Sequence, residues 1–94
     1  MRKLPEFDCW LRGLNDTKAR AKVLVRLERL GLGNPGDVAP VGEGVSEMRV
    51  HYGPGYRIYL KEDGENSVIL LGGTKSTQQR DIENAKALAR NLED

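Results

Sequence analysis

One cysteine, one histidine, one tryptophan and one phenylalanine stand among 94 residues, and the apolar runs are all short. Each shortage closes off a class of protein. Crossing a bilayer as a helix takes about 20 apolar residues, so no membrane partner is expected. Cys9 alone cannot build a disulfide framework within the chain, which fits the reducing cytoplasm. No CxxC or HxxxH spacing is present, so neither a metal nor a cofactor is expected. The opening "MRKLPEFDCW" is basic but lacks an apolar h-region, and a secretory signal is not expected. A GxSxG nucleophile turn and a GxxxxGK[ST] phosphate loop are both absent. Nor does any repeat, low-complexity tract or linker divide the chain. Its length suits one domain, residues 1–94, around one modest core.

Net charge is small as well, +1, but it is unevenly spread. Residues 1–34 hold eight Lys and Arg against four acids, and residues 35–94 hold seven against ten. The N-terminal excess points either to an anionic partner or to a solvated basic helix face.

What is present is strong periodicity. Phe7, Trp10, Leu11 and Leu14 recur at helical spacing, with Cys9 beside Trp10 read as partly buried. Asn15 or Asp16 offers a fresh N-cap. A second helix is predicted over 17–31, with Ala19, Val23, Leu27 and Leu30 inward and Lys18, Lys22, Arg26 and Arg29 outward. "GLGNPGD" (31–37) ends it with a glycine C-cap and Pro35. The first third is therefore a helical hairpin. "SEMRVHY" (46–52) and "YRIYLK" (56–61) then alternate with period two, as half-buried strands do. Pro54-Gly55 suits the centre of a type II turn. Asp63-Gly64 reads as a hairpin turn. "SVILLGG" (67–73) is apolar at both parities and reads as a strand covered on both faces. Ser76 with Gln79 forms a capping-box pattern, opening a final helix with Ile82, Ala85, Ala89 and Leu92 inward. The expected class is α+β: two helices, a meander of about three antiparallel strands, and a C-terminal helix.

If Met48, Val50, Ile58 and Leu60 face the core, then Arg49, His51, Arg57, Tyr59 and Lys61 share the other face. Like charges on paired strands repel, and from the first strand only Glu47 compensates them. A basic sheet face with an interleaved tyrosine binds phosphates and stacks bases, although exposed Arg and Lys also serve solubility alone. "GGTKS" outlines a second anion-binding layout, two glycines leaving a strand ahead of a helix with Lys75 between; an ordinary strand-to-helix turn has the same look.

"WLRGL", "GVSEMRVHYGPGYRIYL" and "LLGGTKSTQQRDIENAKALA" resemble the RelE/ParE superfamily of bacterial toxins, closest to its HigB-like addiction-module branch. The resemblance spans roughly residues 6–92, and the block from Gly44 to Ala85 is its specific part. It implies the compact RelE-like fold and a ribosome-dependent mRNA endoribonuclease that inhibits translation. In such chemistry the ribose 2′-hydroxyl attacks the adjacent phosphate without a metal, and cations stabilise the charge that develops. By motif, Arg57 in "GYR" takes the place of the catalytic arginine, Lys75 falls near the second cationic position, and Arg49 belongs to the "E-M-R" element. Tyr59 and His51 are candidates for stacking or proton transfer. Lys61, Lys22, Arg26 and Arg29 are candidate RNA and ribosome contacts. "MRKLPEF" leaves little room for the short strand that members carry ahead of the first helix. "ARNLED" lacks the late Tyr or His that some members use as a base, a role His51 is available to fill. The implied partners are the ribosome, mRNA and a separately encoded antitoxin, often a helix-turn-helix protein of the HigA type, that covers or distorts the basic face. The superfamily also holds ParE-like gyrase poisons, and a binding module without catalysis is the third alternative.

Overall fold

A computed structural model describes residues 1–63 and 66–92. The chain runs β1 (Arg2–Lys3), α1 (Pro5–Arg12), α2 (Thr17–Gly31), β2 (Val38–Gly42), β3 (Val45–Val50), β4 (Tyr56–Asp63), β5 (Asn66–Thr74), a single 3₁₀ turn (Lys75–Thr77) and α3 (Gln78–Asn91). The strands form one mixed sheet in the order β1-β5-β4-β3-β2. β1 runs parallel to β5, and every other pair is antiparallel. The class is α+β, with five strands where about three were expected. Among the described residues no helix is long and apolar enough to cross a membrane.

Both additional strands are edges, and both lack a strong local signal. β1 is two residues long, and the peptide after it continues the pairing as Leu4 N–H donates to the Ile69 carbonyl at 2.9 Å. "MRKLPEF" therefore does hold a strand ahead of α1, correcting the expectation that there was little room. β2 contains Pro40, which a sheet accepts on an edge strand because no neighbour needs the missing N–H. The two-residue loop to β3 is Glu43-Gly44, with φ of +53° and +77°. Positive φ at both centres is the type I′ hairpin geometry, here reached without Asn-Gly. Arg90 of α3 braces the strained Glu43, its Nη1 donating to Oε1 at 2.7 Å.

The helices begin and end as their residues dictate. Asp16 caps α2, accepting from the N–H groups of Lys18 at 2.9 Å and Ala19 at 3.2 Å. Gly33, with φ +85°, closes it: its N–H donates to the Leu30 carbonyl and that of Asn34 to the Arg29 carbonyl. This pairing is a Schellman motif, so the glycine of "GLGNPGD" that closes the helix is Gly33, one position past the cap residue Leu32. The expected hairpin survives only as connectivity, because α1 lies along β5 and α2 across β3. Cys9 is exposed, a correction; two residues on from Phe7, it points away from the apolar stripe. The capping box forms two residues earlier than expected, between Thr74 and Thr77 instead of Ser76 and Gln79. The Gly55 N–H donates to the Tyr52 carbonyl at 3.1 Å, so the hydrogen-bonded turn is 52–55 with Gly53 (φ +56°) and Pro54 at its centre, one residue earlier than the expected Pro54-Gly55 turn; Gly55 nonetheless takes a positive φ of +79°. The hairpin turn assigned to Asp63-Gly64 involves residues outside those described.

Two apolar layers sandwich the sheet. Phe7, Ala19, Val23, Leu27 and Leu30 from α1 and α2 pack on Met48, Val50, Tyr56, Ile58, Leu60 and Ile69. On the opposite side Ala85 and Ala89 of α3 pack on Val45, Tyr59, Val68 and Leu70. β5 thus buries residues on both faces, as its unbroken apolar run implies. Gly72 and Gly73 leave room for those layers. A Cβ on Gly72 would lie 2.3 Å from the Trp10 ring, and one on Gly73 would lie 1.9 Å from Asp81 Oδ2. The glycine pair is explained by close packing on successive faces, not by a phosphate cradle.

Candidate nucleic-acid interface

The face carrying Arg49, Arg57 and Tyr59 is only partly open, because α3 lies across it. Tyr59 is fully buried, and its hydroxyl donates to Glu47 Oε2 at 3.1 Å. Burial, with the Glu47 charge second, pushes its hydroxyl pKa far above the ordinary tyrosine value. The parity expectation holds for Tyr59, but stacking and proton transfer do not: the Ile82–Ala85–Ala89 stripe of α3 needs an apolar surface, and Tyr59 is part of it. Its place is in the core.

Glu47 is the hub beneath the site. Its side chain is 4% exposed, and Oε2 accepts from both Tyr59 and Gln78 Nε2, the latter at 2.8 Å, with Arg57 Nε at 3.6 Å. Arg57 is itself 12% exposed, and its Nη1 donates to the Gly55 carbonyl at 2.8 Å. One carboxylate and one carbonyl therefore fix the plane of the guanidinium. Lys75 is exposed at the start of the 3₁₀ turn, on the other flank of Gly55: a Cβ built there would meet Arg57 Nη1 at 3.0 Å and Lys75 Cβ at 3.5 Å. The structure thus brings Arg57 and Lys75 together, as anticipated, around the Gly-Pro-Gly turn. It adds Asp81, buried on the sheet-facing side of α3 above Gly73, whose Oδ2 accepts from the Thr77 hydroxyl.

Arg49 is the register partner of Arg57. Two arginines side by side repel. Glu47 compensates one, and Asp37, absent from the sequence reading, compensates the other at 3.5 Å. The second oxygen of Asp37 accepts from His51 Nε2, and His51 is otherwise 75% exposed. That hydrogen bond first, then the Arg49 charge, holds the Asp37 carboxyl below the ordinary aspartate range against some desolvation. Among the described residues the Nε atoms of Arg20, Arg49 and Arg57 are buried without a hydrogen-bond partner, that of Arg57 facing Glu47.

The remaining candidates separate. Lys61 pairs with Val45 near the Gly44 turn, at the far end of β4 from Arg57. Arg26 is no free RNA contact: it donates to the carbonyls of Arg49 and Pro35, tying α2 to β3 and to the loop before β2. Lys22 sits over the Tyr52 ring, 5.2 Å from its centroid, and Arg29 is exposed. These three, with Ala21, Val25, Val50 and His51, line an open groove of about 410 Å³ beside α2.

No family model matches the chain. A protein of Haemophilus influenzae strain Rd, described as "Uncharacterized protein", is 47% identical over 87 residues, covering 92% of this chain and 88% of that one.

Proposed function

The chain belongs to one family with that Haemophilus protein, and from the basic end of its sheet we propose a HigB-like toxin of the RelE/ParE superfamily that cuts mRNA on the ribosome. The observation that carries this reading is Arg57, immobilised by Glu47 and the Gly55 carbonyl beside the exposed Lys75 and opposite Arg49. A preorganised cation needs no reorganisation when charge develops on a phosphate, which is where such groups accelerate reactions most. The layering supports the same reading, with two N-terminal helices on one face, a C-terminal helix on the other and a short strand ahead of α1. Arg57 and Lys75 stabilise the phosphorane-like charge as the 2′-hydroxyl attacks. Lys22 and Arg29, both exposed on α2, are the ribosomal RNA contacts of this reading. A separately encoded antitoxin of the HigA type silences the toxin by covering the Arg57–Lys75 end of the sheet.

The test maps 5′ ends of cellular mRNA after induction of wild type, Arg57→Ala and Lys75→Ala. Cleavage within codons by wild type, falling about 10²- to 10³-fold in either variant, is the expected result. Lys75 is exposed, so its variant keeps the wild-type melting temperature even if Arg57→Ala, which strands the buried Glu47, does not. Arrested growth with intact mRNA and DNA breaks would transfer the reading to gyrase. Harmless expression with salt-sensitive binding would leave a binding module.

A further inference from the structure

We propose that Asp37 is a positioning residue that fixes the tautomer of His51, leaving His51 Nδ1 as the proton acceptor at this site; the inference rests on the nuclease reading above. Asp37 lies just ahead of β2, and nothing in the sequence ties it to residue 51. The structure makes it a fixed point. Its carbonyl accepts from the Arg49 N–H at 2.9 Å, and the Arg26 guanidinium spans the neighbouring Pro35 carbonyl at 3.0 Å. Gly36, at φ +71°, lies so close to Arg26 that a Cβ there would meet Nη2 at 2.9 Å. The loop is thus pinned from α2 and from β3, and its carboxylate is not a freely rotating surface group.

The two oxygens of Asp37 are divided between two donors, Oδ1 facing Arg49 Nη2 and Oδ2 accepting from His51 Nε2. An ionised carboxylate only accepts, so the neutral imidazole must carry its proton on Nε2. Its Nδ1 then holds the free lone pair. The other charged groups facing His51 are all cations, Arg49 from β3 and Lys22, Arg26 and Arg29 from α2, so Asp37 is the one carboxylate set against it among the described residues. This is the division of labour of a carboxylate–histidine pair, in which the acid orients the ring and steadies the imidazolium. In the proposed step the 2′-oxygen bonds to phosphorus and its proton passes to His51 Nδ1. The P–O5′ bond breaks, and the 5′-oxygen takes a proton from water. The products are a 2′,3′-cyclic phosphate and a 5′-hydroxyl, and the imidazolium returns its proton to solvent. Arg49 joins the two halves of the site, as partner of Arg57 across the strands and of Asp37 by charge.

Arg49 also makes the test decisive. In Asp37→Asn the amide oxygen turns toward the Arg49 guanidinium, which directs the NH₂ group at His51 Nε2. The ring must then accept at Nε2 and carry its proton on Nδ1, the wrong atom for a base. Because the chain has one histidine, its imidazole nitrogens are read without assignment ambiguity. ¹⁵N spectra of the neutral ring should show the Nε2–H tautomer in wild type and the Nδ1–H tautomer in D37N. Single-turnover cleavage of ribosome-bound mRNA should fall about 10²- to 10³-fold in D37N and H51Q alike, and no further in the double variant. A wild-type ring protonated on Nδ1 overturns the proposal. So does cleavage at the wild-type rate by either single variant. Uncut mRNA with wild-type protein overturns the nuclease reading and the base role together, a result distinct from both.

Discussion

Under α1 and α2 the sheet buries Phe7, Met48, Ile58, Leu60 and Ile69, whereas under α3 it buries Glu47 and Asp81 alongside Tyr59, Val68 and Leu70. Among the described residues both buried charged residues thus lie on the α3 side. The first interface is largely apolar and supplies stability through apolar area. The second ends in hydrogen bonds that converge on one carboxylate oxygen and hold Arg57 in place. A small domain has little stability to spare, and its two buried carboxylates lie near the edge where a charged group must be kept rigid.

The contrast can be broken by substitution. Phe7 is fully buried at the junction of α1, α2 and the sheet, and Phe7→Ala should cost about 3–5 kcal/mol in denaturant melts. A loss under 1 kcal/mol would mean that the apolar layer is not where stability resides. Tyr59→Phe keeps the ring and removes one donor from buried Glu47, for a cost of about 1.5–3 kcal/mol. An unchanged melt there would show that Glu47 is satisfied without it, and that the α3 face is as forgiving as ordinary apolar packing.

The smallest effect is at the exposed cap of α2. Hydrogen bonding from the Ala19 N–H, above all, lowers the Asp16 pKa from its ordinary 3.8. A carboxylate depressed in the folded state contributes stability that is complete above its unfolded pKa and is lost as pH falls through the folded one. Asn is as good an N-cap and does not titrate. Asp16→Asn should therefore melt with wild type or slightly below it at pH 7, and should close that gap or overtake wild type when both are melted at pH 3. Equal responses to acid would show that the cap contributes nothing through its charge.

Legibility followed the range of the interactions involved. The α2 stripe, the Asp16 cap and the alternation of β3 and β4 are local patterns, and each formed where its residues indicated. β1 and β2 were missed because two residues carry no periodicity and Pro40 argues against a strand until its edge position is known. Arg57 and Lys75 were legible as candidates through motif and spacing. Their partners were not: Glu47 was seen only as a stray compensating charge, and Asp37 not at all. Tyr59 was placed on the correct face and given the wrong environment, because strand parity says which way a side chain points but not what covers it.

The sequence by itself determined the α+β order, the apolar stripes and the parity that sets Arg49 and Arg57 on one face, since periodicity and capping depend on neighbours in the chain. Only the tertiary structure decided how far α3 closes that face, which glycines make room for Trp10 and Asp81, and which carboxylate meets His51. Those outcomes depend on distances between residues far apart in the chain, and no local pattern encodes a distance.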